Sequence, residues 1–295
     1  MPLLSIIIPV YNSEKTIGRS LESLNKMFCE SKKLAEVVVV DDGSTDKSME
    51  IVTTKKNALS PLSIDIITQE NKGTGAARNF GLKKCKGIWI FFLDADDELA
   101  FDPIPYLKKS PDASSLGFSV QYYKGSKYKK SKLPVFINLK NHLDVLTAQN
   151  AFTASSIIFK KDLIQSPFDA AFLYLEDWPF WIMNPLIFEK MKIFSSETSA
   201  IIHAQGGNKS TNYIMCGKYR KIVADKILTN LGGRLTHKQK NNLLIQSQIG
   251  LLLQGGKMKM KNFLRFPCNV ILYLKLIIYF FLREKFAKLD IYGDY

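Results

Sequence analysis

Residues 3–12 read LLSIIIPVYN, and residues 37–46 read VVVVDDGSTD. Both stretches begin as an apolar run without polar alternation, which is typical of a strand buried on both faces of a parallel sheet. Each run then changes abruptly to polar turn residues, and a helical pattern follows at 13–27 and at 44–55. Two consecutive strand-helix units of this kind predict an α/β fold with parallel strands.

The same alternation continues to about residue 100. Strands are predicted at 64–68 and 88–93, with a helix at 76–84 between them. In sheets of this type, ligands bind beyond the carboxyl ends of the strands. We therefore expect one ligand cleft at the polar segments that follow the four strands, which are Tyr11-Asn12, Asp41-Asp42-Gly43, Asn71-Lys72-Gly73 and Asp94-Ala95-Asp96-Asp97.

Asp94 and Asp96 stand one residue apart at the end of a predicted buried strand. Carboxylate oxygens at this spacing suit Mg²⁺ or Mn²⁺, which commonly bridge the phosphates of a substrate. The cation would neutralise the charge that develops on a departing diphosphate. The alternative is that Asp96, Asp97 and Glu98 only cap the following turn, and the tripeptide alone does not decide between the two.

Residues 3–100 resemble the family 2 glycosyltransferases of the GT-A fold in the order and spacing of several motifs. Each motif is weak by itself, whereas the combination is specific. The motifs are IPVYN at 8–12, VVDDGSTD at 39–46, Asn71-x-Gly73, Ala77-Arg78-Asn79-x-Gly81 and Asp94-Ala95-Asp96. The resemblance implies a Rossmann-like, mostly parallel central sheet and a nucleotide-sugar donor.

The resemblance also implies roles for residues at the strand ends. They are Pro9 and Tyr11 for a uracil ring, Asp41 for its imide edge, Asn71 and Arg78 for the base and neighbouring carboxylates, Asp94 for ribose and diphosphate, and Asp96 for a Mn²⁺ or Mg²⁺ ion. Elementary chemistry agrees, since an aromatic ring can stack on a base and a guanidinium can donate two parallel hydrogen bonds. A structural ion pair between Arg78 and a strand-end aspartate is the alternative, and both roles can hold together.

The pair Glu176-Asp177 is the main feature of the acceptor half. In the family that the chain resembles, a Glu-Asp pair at about this distance begins the acceptor-side helix. Asp177 is then the expected general base, which removes the proton of the attacking hydroxyl in an inverting transfer, and Glu176 would orient the acceptor. The alternative is a carboxylate pair that only complements the helix dipole. Trp178 and Trp181 favour a sugar-binding face beside the pair, although buried aromatic side chains are commoner than sugar-binding ones.

Two further features are expected before residue 217. Alternation around Gly125-Ser126 predicts a β-hairpin. A predicted strand ends at His203, which the resemblance makes a third metal ligand or a diphosphate contact, although the family's usual Tyr-Tyr-Arg run is missing and a lone histidine on a strand is more often structural. The Gly206-Gly207 pair and Lys209 suit a mobile lid over phosphates.

Positive charge is concentrated in the last quarter of the chain. The sequence carries a net charge of +14, of which residues 218–295 hold +11 from 15 basic and 4 acidic residues. Helical periodicity at 218–231 and 236–254 is followed by an apolar run at 270–282, which is shorter than the ~20 residues that span a bilayer. The pattern predicts an interfacial segment that binds an anionic membrane surface. A helix pair packed on the catalytic domain, or an oligomer interface, is the alternative.

Together these features predict a GT-A catalytic domain at 1–217, with a nucleotide-sugar half at 1–100 and an acceptor half at 101–217, and a helical, basic and apolar C-terminal region at 218–295. The expected activity is metal-dependent, inverting transfer of a hexosyl or N-acetylhexosaminyl group from a UDP-sugar to a glycan or lipid-linked glycan. Bacterial surface polysaccharide, capsule or lipopolysaccharide synthesis is the expected setting. Four widely spaced cysteines without a Cys-x-x-Cys pair, and the lack of a signal-peptide pattern, predict a cytoplasmic protein that is peripheral to the inner membrane.

Two alternative functions share parts of this pattern. A sugar nucleotidyltransferase would have the same sheet and metal, but it needs a Gly-rich, Arg-containing loop where this chain has residues 9–12. A basic nucleic-acid-binding protein would interleave its lysines and arginines with exposed aromatic residues rather than place them around a continuous apolar run. We therefore expect no nucleic-acid partner.

Overall fold

A computed structural model describes residues 1–28, 31–124, 127–131, 133, 140–203 and 212–254. The first hundred residues alternate strands and helices as the sequence predicts. These elements are β1 (Leu4–Val10), α1 (Ile17–Met27), β2 (Ala35–Asp41), α2 (Ser48–Ala58), β3 (Ser63–Thr68), α3 (Thr74–Lys84) and β4 (Trp89–Phe92). Strand β1 lies between β2 and β4 and is parallel to both, and β3 is parallel to β2. The predicted parallel arrangement is therefore confirmed, and all four strands end at one edge.

Helices α1 and α2 begin three to four residues later than their sequence patterns predict. The polar residues before them bind each other instead of starting a helix: Asn12 Oδ1 accepts a hydrogen bond from Thr45 N (2.8 Å), and Ser13 N donates one to Ser48 Oγ (2.7 Å). Asn12 itself has a positive φ of 47°. The two loops beyond β1 and β2 thus form one hydrogen-bonded rim.

The second half of the chain extends the sheet with antiparallel pairs. Strand β8 (Ile157–Lys160) is antiparallel to β4 and to β6 (Ser115–Lys124), and β9 (Met191–His203) is parallel to β6. The short strand β5 (Glu98–Leu99) pairs with β9 at the edge. The order is β3-β2-β1-β4-β8-β6-β9-β5. The sheet is thus mixed: β1 to β4 are parallel, β8 and β5 join their neighbours antiparallel, and β6 and β9 are parallel to each other.

The predicted hairpin is confirmed by the antiparallel pairing of β6 with β7 (Lys127–Lys130). Its turn residues, 125–126, lie outside the described residues. The remaining helices are α4 (Ile104–Lys108), α5 (His142–Ala148) and α6 (Asp177–Met183).

Hydrophobic cores cover both faces of the sheet. One contains the buried side chains of α1, and the other contains those of α3 and α6. Helix α3 lies against β1 at Gly81, where an added Cβ would come within 2.5 Å of Ile7 Cγ2. A glycine at this position therefore sets how closely the helix that carries Arg78 approaches the sheet.

Helices α7 (Tyr213–Leu231) and α8 (His237–Leu253) pack on the same folded body. Val223 and Leu243 are fully buried in the core that also holds α6. The two helices cross at Gly217 and Gly250, where a Cβ on either glycine would lie less than 3 Å from the backbone of the other helix. The domain boundary predicted after residue 217 falls inside α7.

The predicted membrane segment at 270–282 lies outside the described residues, as does the predicted lid at 206–211. Within the residues that the structure describes, no helix combines the length and apolar character that crossing a membrane requires.

Candidate active site

The predicted base-binding residues lie at the ends of neighbouring strands. Val10 of β1 and Asp41 of β2 are partners in register, so Tyr11 and Asp41 stand side by side at the edge of the sheet. The Tyr11 side chain is half exposed and Asn71 is exposed, whereas Asp41 is buried and its Oδ1 accepts a hydrogen bond from Ser44 N (2.9 Å). Pro9, near the end of β1, is partly exposed. The arrangement offers a ring and a fixed carboxylate to a planar ligand.

Asp42 holds the loop beyond β3 in place, a role that sequence reasoning did not assign. Its Oδ1 accepts hydrogen bonds from Gln69 Nε2 (2.7 Å) and Lys72 N (2.8 Å), and its Oδ2 accepts one from Gly73 N (2.9 Å). Gly73 has a φ of 88°, which a side chain would disfavour. The second aspartate of the Asp-Asp-Gly motif thus positions the loop that carries Asn71.

Arg78 joins the donor side of the cleft to the acceptor side. Its Nη2 donates to Asp94 Oδ1 and its Nη1 to Glu176 Oε1, each at 2.7 Å. The Arg78 side chain is 3% exposed, whereas Asp94 is 40% exposed and Glu176 is 12% exposed. Its guanidinium carbon lies 5.5 Å from the ring centres of Phe92 and Phe168. The ion pair that the sequence left open is therefore present, with two carboxylates rather than one.

Glu176 and Asp177 begin α6, as predicted. Asp177 is partly exposed, and its Oδ1 accepts a hydrogen bond from Asn150 Nδ2 (3.0 Å). Burial and then the charge of Glu176 raise the pKa of Asp177 to about 7, although Arg78 and Asn150 oppose this change. A carboxylate with this pKa can accept a proton near neutral pH. The preceding residue, Leu175, has a φ of 57°, an uncommon conformation for a branched side chain.

Three carboxylates, those of Asp94, Asp96 and Asp97, lie within the five residues after β4. Burial and the charge of Asp94 raise the pKa of Asp96 to about 6, and burial with the charges of Asp94 and Asp96 raises the pKa of Asp97 well above its ordinary value. From α1, Arg19 Nη2 donates to the backbone oxygen of Asp96 (2.7 Å). Because the carboxylates repel one another, a cation among them would be stabilised.

The carboxylates fit a metal ion that substrate phosphates also bind. Among the described residues, no group of three or more His, Cys, Asp or Glu side chains is arranged to hold a metal ion. Mg²⁺ in nucleotide sites commonly has only one or two protein carboxylates, and phosphates and water complete its coordination. The donor set of Asp94 and Asp96 meets that requirement.

His203 lies at the end of β9 and is tied to the segment after β4. Its backbone N–H donates to Asp97 Oδ1 (3.1 Å), and its Nε2 lies 2.6 Å from Glu98 Oε1. Glu98 also lies 3.3 Å from Arg19 Nε. The imidazole thus contacts Glu98, and its predicted contact with a metal stays a prediction.

Trp178 and Trp181 do not form the sugar-binding face that the sequence suggests. Both side chains are fully buried, and their indole N–H groups donate to the backbone oxygens of Leu146 (2.6 Å) and Phe152 (3.1 Å). The prediction was wrong because α6 is apolar on the side that packs against the sheet and α5. Its only carboxylate in the first turn is Asp177.

Several residues of the site had no role assigned from the sequence. Asp97 was expected in the ligand cleft without a role of its own, whereas Arg19, Asn150 and Tyr122 gave no signal because they are distant along the chain. Tyr122 of β6 is partly exposed, and burial together with the charges of Asp97 and Asp177 raises its pKa to about 12.

Relatives of known sequence match mainly the first third of the chain. An uncharacterised glycosyltransferase of Haemophilus influenzae is 43% identical over 105 residues, which are 35% of this chain and 40% of that protein. The poly(ribitol-phosphate) β-N-acetylglucosaminyltransferase TarS of Staphylococcus aureus is 42% identical over 93 residues, or 32% of this chain and 16% of TarS. The chain thus spans less than half the length of these relatives.

Solved structures resemble the fold over most of the chain. S. aureus TarS 1–349 in complex with UDP-GlcNAc has a TM-score of 0.64 at 24% identity, covering 85% of this chain and 73% of that one. The mannosyltransferase PcManGT of Pyrobaculum calidifontis, in complex with GDP-Man and Mn²⁺, has a TM-score of 0.62 at 15% identity, covering 92% and 81%. These likenesses confirm the GT-A fold. The model of glycosyl transferase family 2 matches residues 5–165, more than half of the chain, and the chain therefore belongs to glycosyltransferase family 2.

Proposed function

We propose that the chain transfers a sugar, with inversion and with a divalent metal, from a UDP-sugar to a hydroxyl group of a glycan. The observation that carries this proposal is the bridge from Asp94 through Arg78 to Glu176. The bridge ties the start of α6, where Asp177 is the candidate base, to the carboxylate of Asp94 beyond β4. Family membership favours transfer over the nucleotidyltransferase and nucleic-acid-binding alternatives.

The donor would bind across the ends of β1 to β4. Tyr11 would stack on the base and Asp41 would accept a hydrogen bond from its imide N–H, with Pro9 and Asn71 at the sides. The carboxylates of Asp94 and Asp96 would hold Mn²⁺ or Mg²⁺, with His203 at the end of β9 as the further candidate ligand. When bound, this ion neutralises negative charge on the diphosphate leaving group.

Asp177 would accept the proton of the acceptor hydroxyl. Its partly exposed carboxylate and its pKa of about 7 suit a group that is largely ionised above neutral pH. Asn150 fixes one oxygen through its 3.0 Å hydrogen bond, which leaves the other free to turn toward an acceptor. Glu176, held by Arg78, keeps the first turn of α6 in register with the donor carboxylates.

The proposed acceptor and pathway follow from the names of proteins whose sequences resemble this chain. Its relatives include a minor teichoic acid biosynthesis protein of Bacillus subtilis and a chondroitin synthase of Escherichia coli. We place this chain in bacterial surface polysaccharide synthesis, including capsule or lipopolysaccharide, with a glycan or lipid-linked glycan as acceptor. A hexosyl or N-acetylhexosaminyl group is the sugar transferred, at the cytoplasmic face of the inner membrane.

The test is release of UDP from a panel of UDP-sugars, with and without Mn²⁺. We expect turnover of one UDP-sugar that stops in a chelator and returns with Mn²⁺. Asp177→Asn should reduce turnover about a hundredfold or more, since a positioned general base accelerates a reaction by about 10² to 10⁴. The affinity for UDP should stay unchanged. Asp96→Asn should weaken Mn²⁺-dependent UDP binding measured by calorimetry.

Asp112→Asn is the matched control, because Asp112 is exposed and lies before β6, away from the strand ends. Full turnover in the chelator would contradict the metal assignment, and full turnover by Asp177→Asn would contradict the assignment of the base.

A further inference from the structure

The segment around the β6-β7 hairpin carries positive charge that the proposed reaction does not use. Between Asp112 and Asp144 the sequence has six lysines and no acidic residue. This contrasts with residues 1–217 as a whole, where 26 basic residues nearly balance 23 acidic ones. All four residues of β7, Lys127 to Lys130, are exposed.

The hairpin emerges from the sheet beside the candidate active site. Strand β6 pairs with β9 up to Tyr123, whose partner in register is His203. The backbone N–H of His203 donates to Asp97, which follows the metal motif. The base of the hairpin is therefore joined by one strand pair and one hydrogen bond to the carboxylates beyond β4.

One face of the hairpin combines Tyr122 with lysines. In the antiparallel register Tyr122 lies opposite Lys129, and paired residues project to the same face. Lys127 follows on that face because side chains alternate along a strand. Tyr122 precedes Tyr123, the register partner of His203, so this face begins at the edge of the sheet where His203 binds Asp97. Burial, and then the charges of Asp97 and Asp177, raise the pKa of Tyr122.

The other face carries aromatic rings. The ring centres of Tyr123 and Tyr128 lie 4.8 Å apart, and the ring of Tyr123 lies edge-on to His203 at 5.2 Å. Tyr128 is 58% exposed. A row of rings therefore runs from His203 to β7, and such rings offer an apolar contact surface with a polar edge to a sugar.

We infer that the β6-β7 hairpin binds the acceptor and selects an anionic glycan, one that carries carboxylate or phosphodiester groups. The inference rests on the proposed function, because it assigns the acceptor class of the same site. The lysines supply charge complementarity and the tyrosine row supplies the sugar contact. Lys127 and Lys129 pair with the anionic groups of the acceptor while its hydroxyl approaches Asp177.

The experiment measures binding of fluorescent oligomers to the full chain. The probes are a mannuronate hexasaccharide, a glycerol phosphate hexamer and neutral maltohexaose, so that carboxylate, phosphodiester and uncharged ligands are compared. We expect the two anionic probes to bind more tightly than maltohexaose. The variant K127Q/K129Q should weaken both anionic probes roughly threefold to tenfold, because two exposed charge pairs are lost. The anionic probe whose affinity decreases more in K127Q/K129Q indicates whether the acceptor carries carboxylate or phosphodiester groups.

Two controls make the result specific. K108Q/K109Q removes the same charge from two exposed lysines at the end of α4 and should change no affinity. Y128A should weaken mannuronate and maltohexaose alike, because ring contact does not depend on charge. The anionic preference of the wild type should also decrease in about 0.5 M NaCl, where exposed charges are screened.

Equal affinities of the three probes, or equal losses in the two lysine variants, would overturn the inference. So would loss of binding to phosphatidylglycerol vesicles by K127Q/K129Q with unchanged oligomer binding, which would make the hairpin a lipid contact. UDP affinity and UDP-sugar turnover are measured on the same samples. If the wild type neither bound UDP nor turned over a UDP-sugar, the proposed function would be contradicted. The comparison of oligomer affinities tests the acceptor inference independently of that result.

Discussion

Arg78 joins two carboxylates that are distant from it in the sequence. Asp94 is 16 residues away and Glu176 is 98 residues away. Buried guanidinium groups suit this role because their fork of donors can bind two acceptors at fixed angles. Burial alone would lower the pKa of Arg78, but the charges of Asp94 and Glu176 outweigh it and raise this pKa. The residue thus remains charged and sets the distance between the two sides of the cleft.

Arg78→Lys should lose activity although the charge is kept. A single ammonium group cannot bridge both carboxylates, so Glu176 would shift relative to Asp94. We expect turnover to fall about a hundredfold, as a displacement of about 1 Å can cause, and unfolding free energy to fall by about 1 to 3 kcal/mol. Turnover and urea denaturation measure the two effects. Exposed Arg234→Lys is the control, and an Arg78→Lys enzyme with normal turnover would refute the bridge.

Asp177 gives the enzyme a predicted pH dependence. A base must be ionised, so kcat/KM should rise with pH and level off above the pKa of about 7. Asn150→Ala removes a hydrogen bond that lowers this pKa, so the rise should move to higher pH. The measurement is kcat/KM from pH 5 to pH 9 in both proteins. An unshifted profile in Asn150→Ala would mean that another group titrates.

The same pKa predicts that Asp177 lowers stability at neutral pH. Its folded pKa of about 7 exceeds the ordinary value of 3.8, so between these values the folded protein holds a proton that the unfolded chain releases. The stability from this group is present below about pH 4 and is lost as pH rises to 7. Asp177→Asn should therefore unfold at a higher temperature than the wild type at pH 8, and this gain should disappear at pH 4. A lower unfolding temperature at pH 8 would contradict the assignment.

At the scale of elements, α6 is fixed at both ends by polar contacts and between them by its core. Asn184, directly after α6, is fully buried and makes four hydrogen bonds. Its Oδ1 accepts from Gln165 N (2.7 Å) and Ser166 N (2.9 Å), and its Nδ2 donates to the backbone oxygens of Ser166 (2.9 Å) and Phe180 (2.7 Å). One side chain thus holds the segment after β8 against the helix that begins with Asp177.

Asn184→Ala should destabilise the fold strongly. The substitution leaves backbone groups buried without partners, at about 1 to 3 kcal/mol for each group that remains unsatisfied. We expect a loss of at least about 3 kcal/mol, read from the midpoint of urea denaturation. Asn57→Ala, at an exposed position of α2, should cause no loss of stability, because alanine favours helix. A loss of less than about 1 kcal/mol in Asn184→Ala would show that water or neighbours replace the amide.

At the scale of the whole molecule, neighbouring parts of the chain differ in charge. The parallel sheet and its cleft lie in a nearly neutral region, and helices α7 and α8 pack on that region through Val223 and Leu243. Of the net charge of +11 in residues 218–295, +6 belongs to residues 218–254 and +5 to residues 255–295, which include Lys257, Lys259 and Lys261 and lie beyond the described part of the chain. Membrane association of that segment stays a prediction from sequence.

The predicted membrane association can be tested by reversing the charge of Lys257, Lys259 and Lys261. K257E/K259E/K261E should bind phosphatidylglycerol vesicles roughly a hundredfold more weakly, since each basic residue near an anionic surface contributes about 1 kcal/mol. K33E/K108E/K109E changes the same charge at exposed lysines elsewhere and should bind as the wild type does. Vesicle sedimentation measures both. Equal binding by the wild type and K257E/K259E/K261E would make the basic segment unnecessary at the membrane.

The sequence by itself determined the first four strands, the order of the helices between them and the polar edge of the sheet. These features depend on local periodicity and on turn residues within about ten positions, so they could be predicted without long-range contacts. The start of α6 at Glu176-Asp177 was predicted because a motif marked it. The general-base role of Asp177 and the metal ligands remain predictions that follow from the same motifs.

Only the tertiary structure decided how the second half of the chain meets the first. The antiparallel addition of β8 and β6, the burial of Trp178 and Trp181, and the contacts of Arg78 all join residues far apart in sequence. Such contacts depend on which of several similar apolar surfaces pack together, and local patterns do not specify that choice. For the same reason, the roles of Asp42 and Tyr122 could not be assigned from the sequence. Their contacts depend on how loops and strands from different parts of the chain pack together.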